Sequence, residues 1–273
     1  MGRDINEFEL TKDKIQPSVA AKEAKDVHFE RNITVNEQDL LLPYKLNIEQ
    51  KKAYNIILDR IFSTKPGAFF MDGPGGTGKS FLYRALLATV RHRGFIALAA
   101  ASSGIASSLL PGGRTAHSRF KIPIDVDGNF SCNISKQSSL ASLIRDAKLI
   151  VWDEISMAKK EMIEALDLLL RDLMETNMLF GGKVVVFSGD FRQTLPVVRV
   201  EKKEDFVRES LLCSEIWHQL EKLQLSENKR SKTDPTFYEY FMRISNGKEG
   251  KNDKRKVEIP RPLIIPSQLK KIP

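Results

Sequence analysis

The sequence predicts an α/β fold in which a parallel β-sheet is covered by helices on both faces. Short apolar runs of strand length alternate with segments of helical period along much of the chain, which is typical of such a sheet. Continuous apolar runs suit strands that are buried on both faces. A glycine-rich stretch follows the first of these runs and leads into a helix.

Composition and charge narrow the class of protein. The chain has 273 residues, of which 41% are hydrophobic and 29% are charged, and this suits a soluble globular protein of one or two domains. Its formal net charge of +8 is compatible with a polyanionic partner. Two cysteines and four scattered histidines indicate neither a disulfide framework nor a zinc site, and they suit a reducing, intracellular compartment. Since no apolar run is long enough to span a bilayer and the N-terminus lacks a secretory signal, we expect no membrane association.

The N-terminal stretch is polar, mixed in charge and without a sustained period, so we expect a poorly ordered leader over residues 1–45. The folded part is predicted to begin near Leu46, with Asn47 as the N-cap of a helix that runs through Ile61. Gln50 stands three residues after Asn47, where its side chain can complete a capping box.

The remaining elements follow from the same patterns. Strands are predicted at residues 68–72, 95–101, 148–152 and 183–187, with a further one at 222–225. Helices are predicted over residues 81–88, 105–110, 140–147, 158–174 and 206–220, and the turn-rich residues 121–139 are predicted to form a loop. Asp234-Pro235 is an N-cap followed by proline at the first helical position, which predicts one more helix that stops near Asn246.

Residues 73–80 carry the pattern G-x-x-x-x-G-K-S of a phosphate-binding loop, and they lie between a predicted strand and a predicted helix. The segment consists of Gly73, Pro74, Gly75, Gly76, Thr77, Gly78, Lys79 and Ser80. Glycines let successive N–H groups form a nest for phosphate oxygens at the helix N-terminus. We expect Lys79 to reach the outer phosphates and the Ser80 hydroxyl to coordinate Mg²⁺. The alternative is a chance glycine-rich turn, which the strand–loop–helix context disfavours.

An acidic pair follows the strand predicted at residues 148–152. In such a position one carboxylate can hold Mg²⁺ while the other polarises a water for attack on the terminal phosphate. We assign Asp153 to the metal and Glu154 to the water. The alternative is an exposed loop pair, which the phosphate loop makes less favoured.

The segment Gly189-Asp190-Phe191-Arg192-Gln193 follows the next predicted strand. Strands of one parallel sheet end at the same edge, so this segment is expected beside the phosphate loop. Gln193 can therefore donate to a terminal phosphate or to the attacking water. Taken alone, the segment is equally well explained as a polar turn.

Several segments stand in the order found in superfamily-one DNA helicases. They are Leu46-Asn47-Ile48-Glu49-Gln50, Gly75 to Ser80, Ser103-Gly104-Ile105-Ala106, Thr115-Ala116-His117-Ser118, Trp152-Asp153-Glu154 and Gly189 to Gln193. The set resembles the petite-integration-frequency (Pif-type) family over about residues 46–266, and residues 110–120 look most like the helicases of plant Helitron transposons. The resemblance implies a RecA-like P-loop NTPase domain.

The resemblance also implies an activity and a setting. A Pif-type protein would be an ATP-dependent DNA helicase that uses ATP and Mg²⁺ and moves 5′ to 3′ along single-stranded DNA. Its partners would be single-stranded DNA and duplex junctions. Its place would be the nucleus, in DNA repair, recombination and telomere maintenance.

Individual residues gain roles from the same resemblance. Gln50 would match the adenine-reading glutamine, and Arg230 would match the arginine finger, whose charge can stabilise the transferred phosphoryl group. The pairs Ser103-Gly104 and His117-Ser118 would match segments that contact the single strand.

The chemistry of the residues around His117-Ser118 also indicates DNA binding. Arg114, His117, Arg119 and Phe120 combine cations that can track phosphates with an aromatic ring that can stack on bases. We therefore expect Arg119 and Phe120 to contact DNA as well. For Phe120 the alternative is a place in the core, since most phenylalanines are buried.

The resemblance divides the chain into a motor domain over residues 46–200 and the start of a second motor region over residues 201–273. The later motifs of that second region are not found after Arg230, so we expect a short C-terminal extension in its place. A small-molecule kinase or GTPase is an alternative, although the guanine-specific N-K-x-D is absent and the ordered helicase segments argue against it. A remnant that binds ATP or DNA without unwinding stays open.

Overall fold

The computed structural model describes residues 19–123, 132–196, 203–228 and 235–248. Its centre is a six-stranded sheet with the order β3-β2-β4-β5-β1-β6, and all paired neighbours run parallel. The strands are β1 (Gly67–Asp72), β2 (Ile96–Ala101), β3 (Arg114–Thr115), β4 (Ala147–Asp153), β5 (Val184–Gly189) and β6 (Glu221–Gln224). The predicted parallel sheet is confirmed.

Helices surround this sheet. They are α1 (Val19–Arg31), α2 (Glu37–Leu40), α3 (Ile48–Phe62), α4 (Lys79–His92), α5 (Gly104–Ser108), α6 (Ala116–Phe120), α7 (Ser139–Asp146), α8 (Lys160–Met174), α9 (Lys203–Arg208), α10 (Glu215–Gln219) and α11 (Pro235–Ser245). Short 3-10 helices cover Leu42–Lys45, Ile155–Met157, Leu179–Gly182 and Leu211–Cys213. Within the part of the chain that the structure describes, no helix combines the length and apolarity needed to cross a membrane.

Two hydrophobic clusters lie on opposite faces of the sheet. Adjacent strand residues point to opposite faces, so Phe69 joins one cluster and Phe70 the other. The Phe69 cluster packs the sheet against α3 and α4, and the Phe70 cluster packs it against α7 and α8. Burial on both faces explains why the central strands read as continuous apolar runs in the sequence.

The expected leader is wrong for residues 19–45, because these residues form α1, α2 and a 3-10 helix that are tied to the rest of the protein. Val27 of α1 belongs to a core cluster. Glu30 makes a buried ion pair with Arg119, and Asp39 accepts a hydrogen bond of 2.5 Å from Arg84. The polar sequence hid these contacts because each one joins residues that are distant along the chain. Residues 1–18 lie outside the described part.

The expected boundary at residue 200 is also wrong, since strand β6 pairs with β1 in the same sheet. Leu223 and Leu225 join the cluster beneath α4, and Leu211 and Ile216 join the opposite one. The segment predicted as one helix over residues 206–220 is broken into α9, a 3-10 helix and α10. The two-residue strand β3 was not predicted, because it is too short to give a periodic signal.

Candidate nucleotide-binding site

Residues 73–78 connect β1 to α4, with left-handed backbone at Gly76 (φ 95°) and Gly78 (φ 78°). A Cβ atom at Gly75 would lie 2.7 Å from Nε2 of Gln193, and one at Gly78 would lie 2.5 Å from Nε2 of Gln50. The backbone angles therefore favour glycine at positions 76 and 78, and a side chain at position 75 or 78 would displace the Gln193 or Gln50 amide. The loop ends at the N-terminus of a 14-residue helix, where negative charge is stabilised.

Lys79 is the first residue of α4, and its side chain is buried beneath the loop. Its Nζ atom donates to the carbonyl oxygen of Gly73 at 2.6 Å and to that of Pro74 at 3.4 Å. These bonds hold a positive charge inside the curve of the loop, where a polyphosphate would bind.

Asp153 ends strand β4 and is buried, with 3% of its surface exposed. Its Oδ1 atom accepts hydrogen bonds from the Ser188 hydroxyl at 2.5 Å and from the Glu154 backbone N–H at 2.9 Å. The other oxygen, Oδ2, faces the Ser80 hydroxyl at 3.4 Å. The hydroxyl of the loop and the carboxylate of β4 therefore lie close together, and their role as Mg²⁺ ligands stays a prediction.

Glu154 follows directly in a left-handed conformation (φ 55°), which turns the chain sharply at the strand end. Partial burial raises the pKa of its carboxyl, the charge of Asp153 adds to this effect, and Lys79 opposes it. A carboxyl with a raised pKa is a stronger base than an exposed glutamate, which suits the proton-accepting role assigned to Glu154.

Gln193 lies against the loop, and Asp190 holds it there. The Gln193 Nε2 atom donates to Oδ2 of Asp190 at 3.0 Å, while Oδ1 of Asp190 accepts from Nε of Arg192 at 2.7 Å. Asp190 is itself buried. The sequence motif contains Asp190 but predicted no role for it, and the structure identifies it as the residue that orients Gln193.

Gln50 forms the predicted capping box and does more than cap. Its Oε1 atom accepts from the Asn47 N–H at 3.1 Å, and its own N–H donates to the Asn47 side chain at 2.8 Å. In addition, its Nε2 atom donates to the Thr77 carbonyl at 2.9 Å, so this fully buried side chain joins α3 to the loop.

A second tie, which the sequence did not predict, reaches the loop from the segment after β6. Nδ2 of Asn228 donates to the Gly75 carbonyl at 2.7 Å, and the Asn228 side chain packs against Gly76. The same segment is anchored to α3, because the Glu49 carboxylate accepts from the backbone N–H groups of Ser226 (2.6 Å) and Glu227 (3.1 Å). A hydrogen bond from the Ser226 hydroxyl lowers the pKa of Glu49 most, and the two backbone bonds add to this effect. An isolated asparagine in a polar turn gives no sequence signal for such a contact.

These groups surround one cavity of about 550 Å³ at the carboxyl edge of the sheet. Its lining contains most of the residues predicted for the site: Gln50, Gly75, Gly76, Gly78, Lys79, Ser80, Asp153, Glu154 and Gln193. Phe81 and Leu109 add an apolar wall that the sequence did not predict. Gly73, Pro74 and Thr77 shape the loop without lining the cavity, and Arg230 lies outside the described residues. The volume, the glycine backbone and the enclosed lysine fit a nucleoside triphosphate.

The segments expected to contact DNA follow β2 and β3, at the same edge. Ser103 caps α5 by accepting from the Ala106 N–H at 3.1 Å, and Gly104 is exposed beside it. In α6, Ser118 is exposed and His117 is half-buried, with burial lowering the pKa of the imidazole. Both pairs therefore follow strands at the carboxyl edge of the sheet, and Gly104 and Ser118 are exposed there.

The expectation that Arg119 and Phe120 contact DNA is wrong for this structure, because both side chains are buried. Arg119 is 3% exposed and donates to the Ala99 carbonyl at 2.8 Å, to the Gly112 carbonyl at 2.5 Å and to the Glu30 carboxylate at 2.8 Å. Phe120 is fully buried, with its ring centroid 6.2 Å from that of Trp152. In a helix of five residues, the last two turn inward while Ser118 faces solvent.

Comparison with known proteins places the chain in a family. The PIF1-like helicase family matches residues 45–255. The chain is similar to the ATP-dependent DNA helicase Pif1 of Campylobacter jejuni, with 32% identity over 65% of this chain and 40% of the relative. It is also similar to the ATP-dependent DNA helicase PIF1 of Danio rerio, with 30% identity over 77% of this chain and 31% of the relative. The chain thus spans well under half the length of these curated relatives.

Solved structures agree. Pif1 helicase from Candida albicans superposes with a TM-score of 0.63 at 25% identity, covering 80% of this chain and 50% of the other. Pif1 from Bacteroides, in complex with ADP-AlF3 and ssDNA, superposes with a TM-score of 0.62 at 26% identity, covering 75% of this chain and 47% of the other. The narrower likeness to transposon helicases stays a prediction. With the family match spanning most of the sequence and the fold shared, this chain belongs to the PIF1-like helicase family.

Proposed function

We propose that this chain is the ATP-hydrolysing part of a DNA helicase that moves 5′ to 3′ along single-stranded DNA and separates duplexes. One observation carries the proposal: Lys79, Ser80, Asp153, Glu154 and Gln193 line a single cavity around the phosphate loop. The family supports it, since the relatives are named ATP-dependent DNA helicases and a Bacteroides relative was solved with ADP-AlF3 and ssDNA.

The loop would bind the phosphates of ATP through its backbone N–H groups and through Lys79. Ser80 and Asp153 would hold Mg²⁺, which supplies positive charge that neutralises the phosphates, and their oxygens are the donors that this ion prefers. Gln50 would contact the adenine, since its Oε1 and Nε2 atoms each make one hydrogen bond within the protein and each can make one more.

Glu154 would accept a proton from the attacking water, since its half-buried carboxyl faces the cavity and its pKa is raised. Gln193, held by Asp190, would contact the terminal phosphate or the water. Arg230 would complete the site as the arginine finger by stabilising the charge on the transferred phosphoryl group.

Single-stranded DNA would cross the carboxyl edge of β2 and β3, where it would contact Ser103, Gly104, His117 and Ser118. Contacts to phosphates in an exposed groove give little sequence preference, and the net charge of +8 favours a polyanion. By family likeness, the whole protein would act at duplex junctions in the nucleus, in DNA repair, recombination and telomere maintenance.

The test is steady-state phosphate release with Mg²⁺ and ATP, with and without single-stranded DNA of mixed sequence. We expect stimulation by DNA, and loss of hydrolysis in Lys79→Ala with an unchanged circular dichroism spectrum, because this lysine supplies charge to the phosphoryl group. Hydrolysis that ignores DNA would contradict the motor assignment. Nucleotide and DNA binding without hydrolysis would favour the binding remnant.

A further inference from the structure

A second cavity, of about 140 Å³, lies at the opposite edge of the sheet, where β1, β4 and β5 begin. Strand β4 separates the two sites: Lys148 lines the second cavity and Asp153 lines the nucleotide cavity. At about 3.3 Å per residue, these positions are about 17 Å apart along the strand. The second cavity is therefore a separate feature of the domain, with no part in the nucleotide site.

Cations dominate its lining. Three neighbouring strands each have a lysine within two residues of their first residue: Lys65 for β1, Lys148 for β4 and Lys183 for β5. Arg60 from the last turn of α3 and Arg145 from the last turn of α7 complete the set. Among the residues that the structure describes, none of those lining this cavity is acidic.

The backbone is irregular at one of these lysines, Lys148. The register between β2 and β4 shifts at this point, since Ile96 pairs with Ala147 and Ala97 pairs with Leu149. Lys148 is therefore skipped in the register between these two parallel strands, and an irregularity of this kind can re-aim a side chain, as a β-bulge does. Half-burial of Lys148 places a cation at the wall of the cavity, in a strand that is otherwise buried.

Lys183 forms the floor, with 7% of its surface exposed. Its Nζ atom donates to the carbonyl oxygens of Arg145 at 2.8 Å and Ala147 at 3.1 Å, so it also caps the end of α7. Burial lowers its pKa to about 8, and the nearby charge of Lys148 contributes. The carboxylate of Asp146 opposes this lowering, and it is itself paired with Arg31 at 2.6 Å.

Ordinary structural roles account for only part of this cluster. Arg60 and Arg145 suit helix C-termini, and Arg60 is also paired with Glu221 at 3.6 Å. Neither role accounts for Lys65, Lys148 and Lys183 lining the same cavity, because gathering cations is unfavourable without an anion. The small volume of the cavity and its positively charged lining both fit a small, multiply charged anion.

From this geometry we infer that the cavity between the amino ends of β1, β4 and β5 binds a phosphate group through Lys65, Lys148 and Lys183. The phosphate can belong to a nucleic-acid backbone, which would give the domain a second DNA contact on the edge opposite the motor site. It can equally come from free inorganic phosphate. The chemistry is the same in both cases, and the experiment separates the sources.

The test uses the full chain with Lys79→Ala, which weakens phosphate binding at the loop, and compares it with the same chain carrying Lys65→Gln and Lys148→Gln. Lys183 is left intact because its bonds to α7 support folding. A matched control carries Lys25→Gln and Lys52→Gln, two exposed lysines elsewhere, so that the net charge is equal. Melting temperature is measured against inorganic phosphate at constant ionic strength, and single-stranded DNA affinity is measured at several salt concentrations.

Phosphate at ten times its dissociation constant should raise the melting temperature by about 3–6 °C in the parent and the control, but not in the Lys65/Lys148 variant. If DNA is the source, the variant should also lower the slope of log affinity against log salt by about 1.4, because two lysines no longer neutralise DNA phosphates. An unchanged slope with the thermal response abolished would identify free phosphate. No response to phosphate or DNA, or an equal response in all three chains, would overturn the inference.

Discussion

The buried ion pair between Glu30 and Arg119 makes a strong prediction about stability. Each side chain is 2% exposed, and the two are 2.8 Å apart. Arg114 lies 3.5 Å from the same carboxylate, and Arg91, whose pKa is lowered to about 10 chiefly by burial, is partly stabilised by it. Glu30 is therefore the counter-charge for three guanidinium groups at the edge strand β3.

Glu30→Gln keeps the shape of the side chain and removes this charge. Breaking a buried pair by removing one partner costs about 3–5 kcal/mol, because the other charge is left uncompensated. Arg119 keeps its two carbonyl acceptors, which limits the loss, whereas repulsion among the three arginines increases it. We expect a loss of about 3–5 kcal/mol in the free energy of unfolding, measured by urea denaturation.

Asp146→Asn is the matched control, since it removes one carboxylate from a pair with Arg31 in which both partners are 39–49% exposed. Exposed pairs contribute about 0.2–1 kcal/mol. Replacing both members of the buried pair with apolar residues, in Glu30→Leu with Arg119→Met, should recover only part of the loss, because Arg91 and Arg114 still lose the Glu30 charge. If Glu30→Gln and Asp146→Asn lower the free energy of unfolding equally, the Glu30–Arg119 pair does not hold α1 to the rest of the protein.

Three further predictions concern the two edges of the sheet. Glu154→Gln should keep ATP affinity but slow hydrolysis about 10²–10⁴-fold. Wild-type hydrolysis should fall as the pH drops through the raised pKa of Glu154. If the variant loses ATP binding instead, Glu154 is a structural residue. Burial lowers the pKa of Lys183 from 10.5 to about 8, so between these pH values the unfolded chain binds more protons than the folded one. The free energy of unfolding should therefore rise with pH in this range. Lys183→Met should flatten that rise, measured by urea denaturation at several pH values. Ser118→Glu should weaken single-stranded DNA binding about tenfold, measured by fluorescence anisotropy, with Ala24→Glu as an exposed control; equal affinities would remove α6 from the DNA path.

Local sequence predicted much of the fold because the central strands are buried on both faces and read as apolar runs. The same logic found the site: Asp153, Glu154 and Gln193 each follow a strand, and parallel strands end at one edge. The structure places all three in one cavity with Lys79. The order of these segments along the chain was enough to predict the site, because a parallel sheet brings the carboxyl ends of its strands to one edge.

Contacts between distant residues were not visible in this way. Helix α1 is polar in sequence, and its buried carboxylate finds a partner 89 residues later. Likewise Arg119 and Ser118 are neighbours in a short polar helix, and only packing decides that one is buried and the other exposed. Which side chain of a short helix is buried depends on the residues that pack against the helix, and these are distant along the chain.

The ties to the phosphate loop connect the parts of the site into one unit. The first turn of α3 holds the loop through Gln50 and the segment after β6 through Glu49, and Asn228 of that segment returns to Gly75. A shift of the loop on nucleotide binding would therefore strain bonds to residues 226–228 directly. Since Arg230 follows two residues later, this short path would couple bound phosphates to the segment that carries the proposed arginine finger. Asn228 and Glu49 would thus transmit nucleotide binding, although neither lines the nucleotide cavity.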